Sequence, residues 1–238
     1  MNKLRLVLIF LQLSLSTIYA QKVKIFEENN GFLKVEAEDF YKQTNDNVRK
    51  WYVITPDFKT DMIDADASHA TSASGGKYIE ILPDTRQTHD DKLIHKENFN
   101  GTPGMAVVHY KVKINTPGRY YVWAKVHSTG PEDNGVHVGI DGTWPESGKR
   151  MQWCQGKRAW FWESKQRTKE VHCGVRGQIY LDIETAGEHD IHFSMREDGF
   201  EMDQWLITKD KNFNPRGKKK TQSGILKRLC RWPPTLIT

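Results

Sequence analysis

Val107-Val108-His109-Tyr110-Lys111-Val112-Lys113-Ile114, the turn Thr116-Pro117-Gly118, and then Tyr120-Tyr121-Val122-Trp123-Ala124-Lys125-Val126 form the stretch that decides the fold. In its first half Val108, Tyr110, Val112 and Ile114 alternate with His109, Lys111 and Lys113, and a two-residue period sends the two sets to opposite faces of a strand. The Pro-Gly turn reverses the chain into a second strand. The same alternation recurs in Lys77-Tyr78-Ile79-Glu80-Ile81, Ile179-Tyr180-Leu181-Asp182-Ile183 and Asp190-Ile191-His192-Phe193. Further turn signals stand at Asp133-Asn134-Gly135, Asp141-Gly142 and Ala186-Gly187. No apolar stripe of helical period is sustained. Short strands with frequent turns predict an all-β domain, a β-sandwich. About 188 residues (21–208) are enough for one sizeable core. The polar segments before Lys77 and over 84–104 read as long loops, where binding usually resides on a rigid sandwich.

The flanks read differently from the body. Lys3 and Arg5 precede an apolar run ending near Leu15, and Ile18-Tyr19-Ala20 closes on a small residue, so 1–20 is predicted to be a cleaved signal peptide. That run is too short for a membrane span and none follows, so a secreted or periplasmic protein is expected. From Lys209 onward nine basic residues face one acid, Asp210. Taking this +8 and the +2 of Lys3 and Arg5 from the formal +5 leaves the body at −5. The basic charge therefore belongs to the tail, which excludes nucleic acid as the expected partner of the domain. The tail, 209–238, is predicted to be disordered from its Lys/Arg/Pro content.

In Phe32-Leu33-Lys34-Val35-Glu36-Ala37-Glu38-Asp39-Phe40, alternation places Glu36 and Glu38 on one strand face. Buried like charges are costly unless a cation compensates them. A structural Ca2+ held by Glu36, Glu38 and Asp203, with Asp203 on the last strand, is the expected compensation.

The Val-Glu-Ala-Glu-Asp opening and the closing Asp203 strand resemble carbohydrate-binding modules of families 6 and 35. The middle resembles the C-terminal domain of glycoside hydrolase family 115 proteins. This second likeness is carried by Ser74-Gly75-Gly76-Lys77-Tyr78, Gly118-Arg119-Tyr120-Tyr121-Val122-Trp123-Ala124-Lys125, Val136-His137-Val138-Gly139-Ile140-Asp141-Gly142 and Gly187-Glu188-His189-Asp190-Ile191. The resemblance spans roughly 30–208 and implies a jelly roll that binds a polysaccharide or oligosaccharide, with the sandwich supported by Ca2+.

Trp144, Trp153, Trp160 and Trp162 fall close together among Lys, Arg and Gly, more tryptophan than a core readily absorbs. Indole faces stack on sugar C–H faces while neighbouring polar groups bond the hydroxyls. By resemblance, Trp160 or Trp162 forms a wall of a sugar cleft. Arg86 offers a planar fork for a uronate or sulfate, and His89 and Asp90 offer contacts to hydroxyls. Family 6 modules carry an asparagine just before the closing strand; Glu197 and Asp198 occupy that region here. Trp123 and Trp205 are expected in the core.

A lyase would need base, acid and carboxylate-neutralising roles, which His89, Tyr78 and Arg86 could fill. No spacing singles out a carboxylate pair for glycoside hydrolysis. The expectation is a non-catalytic module, with a small lyase or hydrolase and a structural adhesion domain as alternatives. Cys154 and Cys173 are free to pair or to remain thiols; Cys230 lies in the tail.

Overall fold

The computed structural model describes residues 23–64, 66–216 and, as backbone, 225–226; the segment read as a signal peptide, Cys230 and the rest of the tail lie outside the described residues. In chain order the strands are β1 (Ile25–Glu27), β2 (Phe32–Glu36), β3 (Lys42–Thr44), β4 (Lys50–Ile54), β5 (Tyr78–Leu82), β6 (Val107–Ile114), β7 (Gly118–His127) and β8 (Gly135–Ile140). There follow β9 (Met151–Gln152), β10 (Phe161–Glu163), β11 (Lys165–Gln166), β12 (Val175–Arg176), β13 (Tyr180–Ile183), β14 (Gly187–Met195), β15 (Glu201–Thr208) and β16 (Ile225–Leu226).

One sheet runs β12-β11-β9-β8-β14-β6-β1-β16, with β3 also on β6; the other runs β10-β7-β15-β5-β4, with β13 on β7 and β2 on β15. Only the β1–β6 pair is parallel among these named strands. From β5 to β15 the chain repeatedly crosses from one sheet to the other, the winding of a jelly-roll β-sandwich. The alternation of β6 is realised as read: Val108, Tyr110, Val112 and Ile114 enter the core. They meet Val122, Ala124 and Val126 of β7 and Trp205 and Ile207 of β15. Trp205 stacks edgewise on Tyr110 at 5.0 Å between ring centroids.

Three expectations change. The strand carrying Glu36 stops there, and Ala37–Asp39 forms a 3₁₀ turn, so Glu36 and Glu38 do not share a strand face. Tyr110 reaches across the core to donate its hydroxyl to the Ala37 carbonyl at 2.5 Å, and Ala37 itself is fully buried. Trp205 is core, but Trp123 is buried on the outer face, where the Arg176 guanidinium covers it at 5.4 Å. The chain also stays on the body past Thr208. Phe213 packs on Phe32, and Arg216 bonds the Trp162 carbonyl and Glu163. Cys154 and Cys173 are joined as a disulfide.

His137 of β8 lies outside the core but under the loop at Asn100, donating to its carbonyl through Nε2 and accepting the Arg150 N–H at Nδ1. Burial holds its pKa down to about 4. A base depressed in the folded state contributes stability above its unfolded value near 6.5, and that stability is lost as pH falls toward 4. Urea unfolding should therefore show stability declining across pH 6.5 to 4, with a shallower decline in His137→Gln. Equal slopes in the two proteins would contradict this.

Candidate functional site

On β5, Tyr78, Glu80 and Leu82 alternate with the core residues Ile79 and Ile81, so they face outward from the second sheet. Glu201 of β15 stands directly opposite Glu80 and, on its other side, opposite His127 of β7. The register thus sets two carboxylates and an imidazole in one cross-strand row. This row is buried. The segment 55–77 folds over it, pinned by a second small apolar cluster of Ile54, Ala70, Tyr78 and Leu82 with Phe58, Met62 and Trp160 against it.

That segment delivers His69, whose Nδ1 lies 2.9 Å from Glu201 Oε2. The His69 and His127 rings stack at 3.5 Å between centroids, inclined by 24°. His127 Nδ1 is 3.7 Å from Glu201 Oε1 and has no hydrogen-bond partner, although it is buried. The Tyr78 hydroxyl donates to Glu80 at 3.3 Å. Asp66, His69, His127 and Glu201 bring their ligand atoms within 4.8 Å of one another, as do Asp64, Asp66 and Glu80.

Burial dominates the electrostatics. It pushes Glu80 and Glu201 well above the usual carboxylate range, and neighbouring acids add to the effect. Asp64 and Asp66 are raised for the same first reason. Burial, then His69, holds His127 down to about 4.

Trp160 roofs one side of this row. Its Nε1 donates to Ser72 Oγ at 3.1 Å, and its ring meets Tyr78 at 5.2 Å and His127 at 5.5 Å, both edgewise. The indole remains partly exposed over an open pocket of about 480 Å³ lined by His69, Ser72, His127, Thr129 and Arg158. An aromatic wall above a polar, titratable floor can stack a sugar ring and bond its hydroxyls.

The residues singled out from sequence divide among several places. Trp160 precedes β10, whereas Trp162 lies within it, half-buried near the Lys34 ammonium. Arg86 is buried and ion-paired with Glu132, which also takes His89, so its fork is engaged internally rather than offered to a ligand. Glu197 pairs with its neighbour Arg196 and accepts the Asn134 N–H. Arg86, His89 and Glu197 line a separate cavity of about 230 Å³. Tyr78 is instead under Trp160, so the lyase trio does not assemble. Asp90 is exposed on its loop.

Asp198 is fully buried, and its Oδ2 accepts from Arg49 Nε and Nη2 and from the Thr85 N–H and hydroxyl. The next residue, Gly199, adopts φ +68°, and a Cβ there would fall 2.6 Å from Asp84. Asp198 is thus a lock between loops, closed to ligand.

Glu36 and Asp203 meet at Ser74, and Glu38 stands beside Lys77 of the same turn. Ser74 donates its N–H to Asp203 at 2.9 Å and its hydroxyl to Glu36 at 3.2 Å. Lys125 pairs with Asp203 at 2.7 Å, and Lys77 stands 3.6 Å from Glu38. Even so, Glu36 Oε2 and Glu38 Oε2 are buried without partners, and burial raises Glu38 to about 7. Two unmatched carboxylate oxygens suit an oxygen-seeking cation.

Sequence reading missed His69, His127, Glu80 and Glu201. A signal was present. Glu80 sits inside Tyr78-Ile79-Glu80-Ile81-Leu82 and Glu201 between Phe200 and Met202, charges in apolar runs that warrant a partner.

No protein-family profile matches the chain. It is 57% identical over 201 residues to Uncharacterized protein P23 of Formosa agariphila, an alignment covering 84% of this chain and 48% of that protein. The chain therefore spans about half the length of this curated relative. Among solved structures, it is similar to a family 35 carbohydrate-binding module from Clostridium thermocellum, at 13% identity, TM-score 0.40, and coverage of 74% of this chain and 96% of the module. Another is the Podospora anserina mannanase that joins a family 26 glycoside hydrolase to a family 35 module, at 13% identity, TM-score 0.42, and coverage of 79% and 29%. A third is a family 6 module from the Cellvibrio mixtus lichenase 5A in complex with cellotriose, at 14% identity, TM-score 0.37, and coverage of 74% and 96%.

Proposed function

We propose that this chain is a secreted, non-catalytic polysaccharide-binding module that retains glycan for degradation, with its sandwich stabilised by Ca2+. The observation that carries the reading is the partly exposed Trp160 indole, fixed by Ser72, Tyr78 and His127 above a pocket with a polar floor. A ring held in this way loses little freedom when a sugar stacks on it. The sequence blocks shared with families 6 and 35 support the same reading. The narrower likeness to the C-terminal domain of glycoside hydrolase family 115 proteins rests on the middle blocks, from Ser74 to Ile191, alone.

A second reading, a small lyase or hydrolase, is favoured by one observation: Glu80 and Glu201 are both held toward the protonated state beside a neutral His127. Such environments suit a general acid and base. Incubation with neutral, uronate-rich and sulfated polysaccharides separates the two readings. The module retains glycan and leaves chain length unchanged. New reducing or unsaturated ends, lost in Glu201→Gln, would establish the enzyme.

Ca2+ is assigned to Glu36, Glu38 and Asp203 on the partnerless Oε2 atoms of the two glutamates, with Asp203, held by Ser74 and Lys125, beside them. An ion that binds only the folded state stabilises it by about 2.7 kcal/mol at a concentration one hundred times its Kd. Chelation should lower the melting temperature, and Ca2+ in excess should restore it. Superimposable melting curves with chelator and with Ca2+ would remove the ion from the account.

A further inference from the structure

Behind the pocket under Trp160, four carboxyl groups are packed together, and a bound cation would let them ionise. Asp64, Asp66, Glu80 and Glu201 face a single stacked pair of imidazoles. The two rings lie 3.5 Å apart between centroids. Lys125, the next outward residue along β7, is paired with Asp203. The second observation is independent of charge. His127 is 4% exposed, and its Nδ1, aimed at this cluster, has no hydrogen-bond partner.

A divalent cation answers both features at once, taking the His127 lone pair and neutralising the acids. Two imidazoles with two carboxylates form a mixed nitrogen and oxygen set, which suits Zn2+ and its first-row neighbours; Ca2+ and Mg2+ prefer oxygen alone. We infer that His69, His127, Glu201 and Asp66 bind a zinc-class cation, and that the ion's open side takes an anionic oxygen of the glycan, a carboxylate or sulfate. The placement supplies the second half. His69 and His127 line the pocket beside Trp160, so a sugar stacked on the indole lies next to the ion. With the ion bound, the pocket gains a positive centre that attracts an anionic sugar. The sugar half of the inference rests on the glycan reading above, and the cation half stands without it.

The test uses the whole chain, stripped with chelator and returned to buffer containing excess Ca2+ so that oxygen-only sites are filled. Calorimetric titration with Zn2+ alone should give one more equivalent in the parent than in His127→Ala or in His69→Gln, the latter a loop position whose loss spares the core. Co2+ in place of Zn2+ should give a visible ligand-field band in the parent that both variants lack. Equal Zn2+ stoichiometry and affinity in the parent and in folded His69→Gln overturns the cation site.

Charged oligosaccharides, an oligouronate and a sulfated one, should then bind at least about tenfold more tightly with Zn2+ than without. A neutral oligosaccharide should show no such gain. Zn2+ uptake with no glycan bound under any condition retains the ion and overturns the glycan reading. Anionic glycan binding that ignores Zn2+ overturns the bridging role alone.

Discussion

Asp198→Ala should cost about 3–5 kcal/mol of folding stability, the typical penalty for removing one partner of a buried ion pair. The replacement leaves the Arg49 guanidinium, itself buried, facing an apolar methyl. It also removes the acceptor of the Thr85 N–H, which joins the loop after β5 to the turn before β15. Domains of this size have roughly 5–15 kcal/mol in hand, so the loss takes a large share. Urea unfolding followed by tryptophan fluorescence should show the midpoint falling with little change in slope. An Asp198→Ala protein as stable as the parent but deficient in glycan binding would return this residue to the ligand site, where its sequence position had put it.

Trp160→Ala should weaken glycan binding by about 30-fold or more, since a tryptophan anchoring an interface typically contributes 2 kcal/mol or more. The same substitution should leave the melting temperature within a few degrees. Trp160 packs against the small outer cluster with Tyr78, not against the sandwich core of Tyr110, Phe193 and Trp205. Trp205→Ala supplies the contrast: it empties a fully buried site and should destabilise strongly. Binding by Trp160→Ala that matches the parent would move the site elsewhere on the sandwich.

The fold was legible because its strands carry period-two alternation. Tyr110 between His109 and Lys111 already says which face is core, and β6 and β7 formed where that pattern ran. The site was only half legible. Trp160 stood out because a core does not readily absorb so many tryptophans. Glu80, Glu201 and His127 did not, because each belongs to a different strand and only the register of β5, β15 and β7 brings them side by side. Sequence gives alternation within a strand; it does not give which strands pair.

Arg86 and Asp198 were misplaced for a related reason. A polar loop reads as solvated, yet here it is folded inward and its charges meet Glu132 and Arg49, neither of which is near in sequence. Glu38 shows how a short turn defeats a periodic argument. One 3₁₀ turn after Glu36 rotates it off the strand face; Ser74 bonds Glu36 and Asp203, while Glu38 stands near Lys77.

Trp160 and its pocket are the centre of the account, and immobilised polysaccharide tests them most directly. Parent protein and Trp160→Ala, each shown folded by its melting curve, are passed over a panel of neutral, uronate-rich and sulfated glycans, with product release measured in the same samples. The account predicts retention of the parent on at least one glycan, loss of that retention in Trp160→Ala, and no new chain ends. A parent protein that binds none of them, or a folded Trp160→Ala that binds equally well, would contradict it.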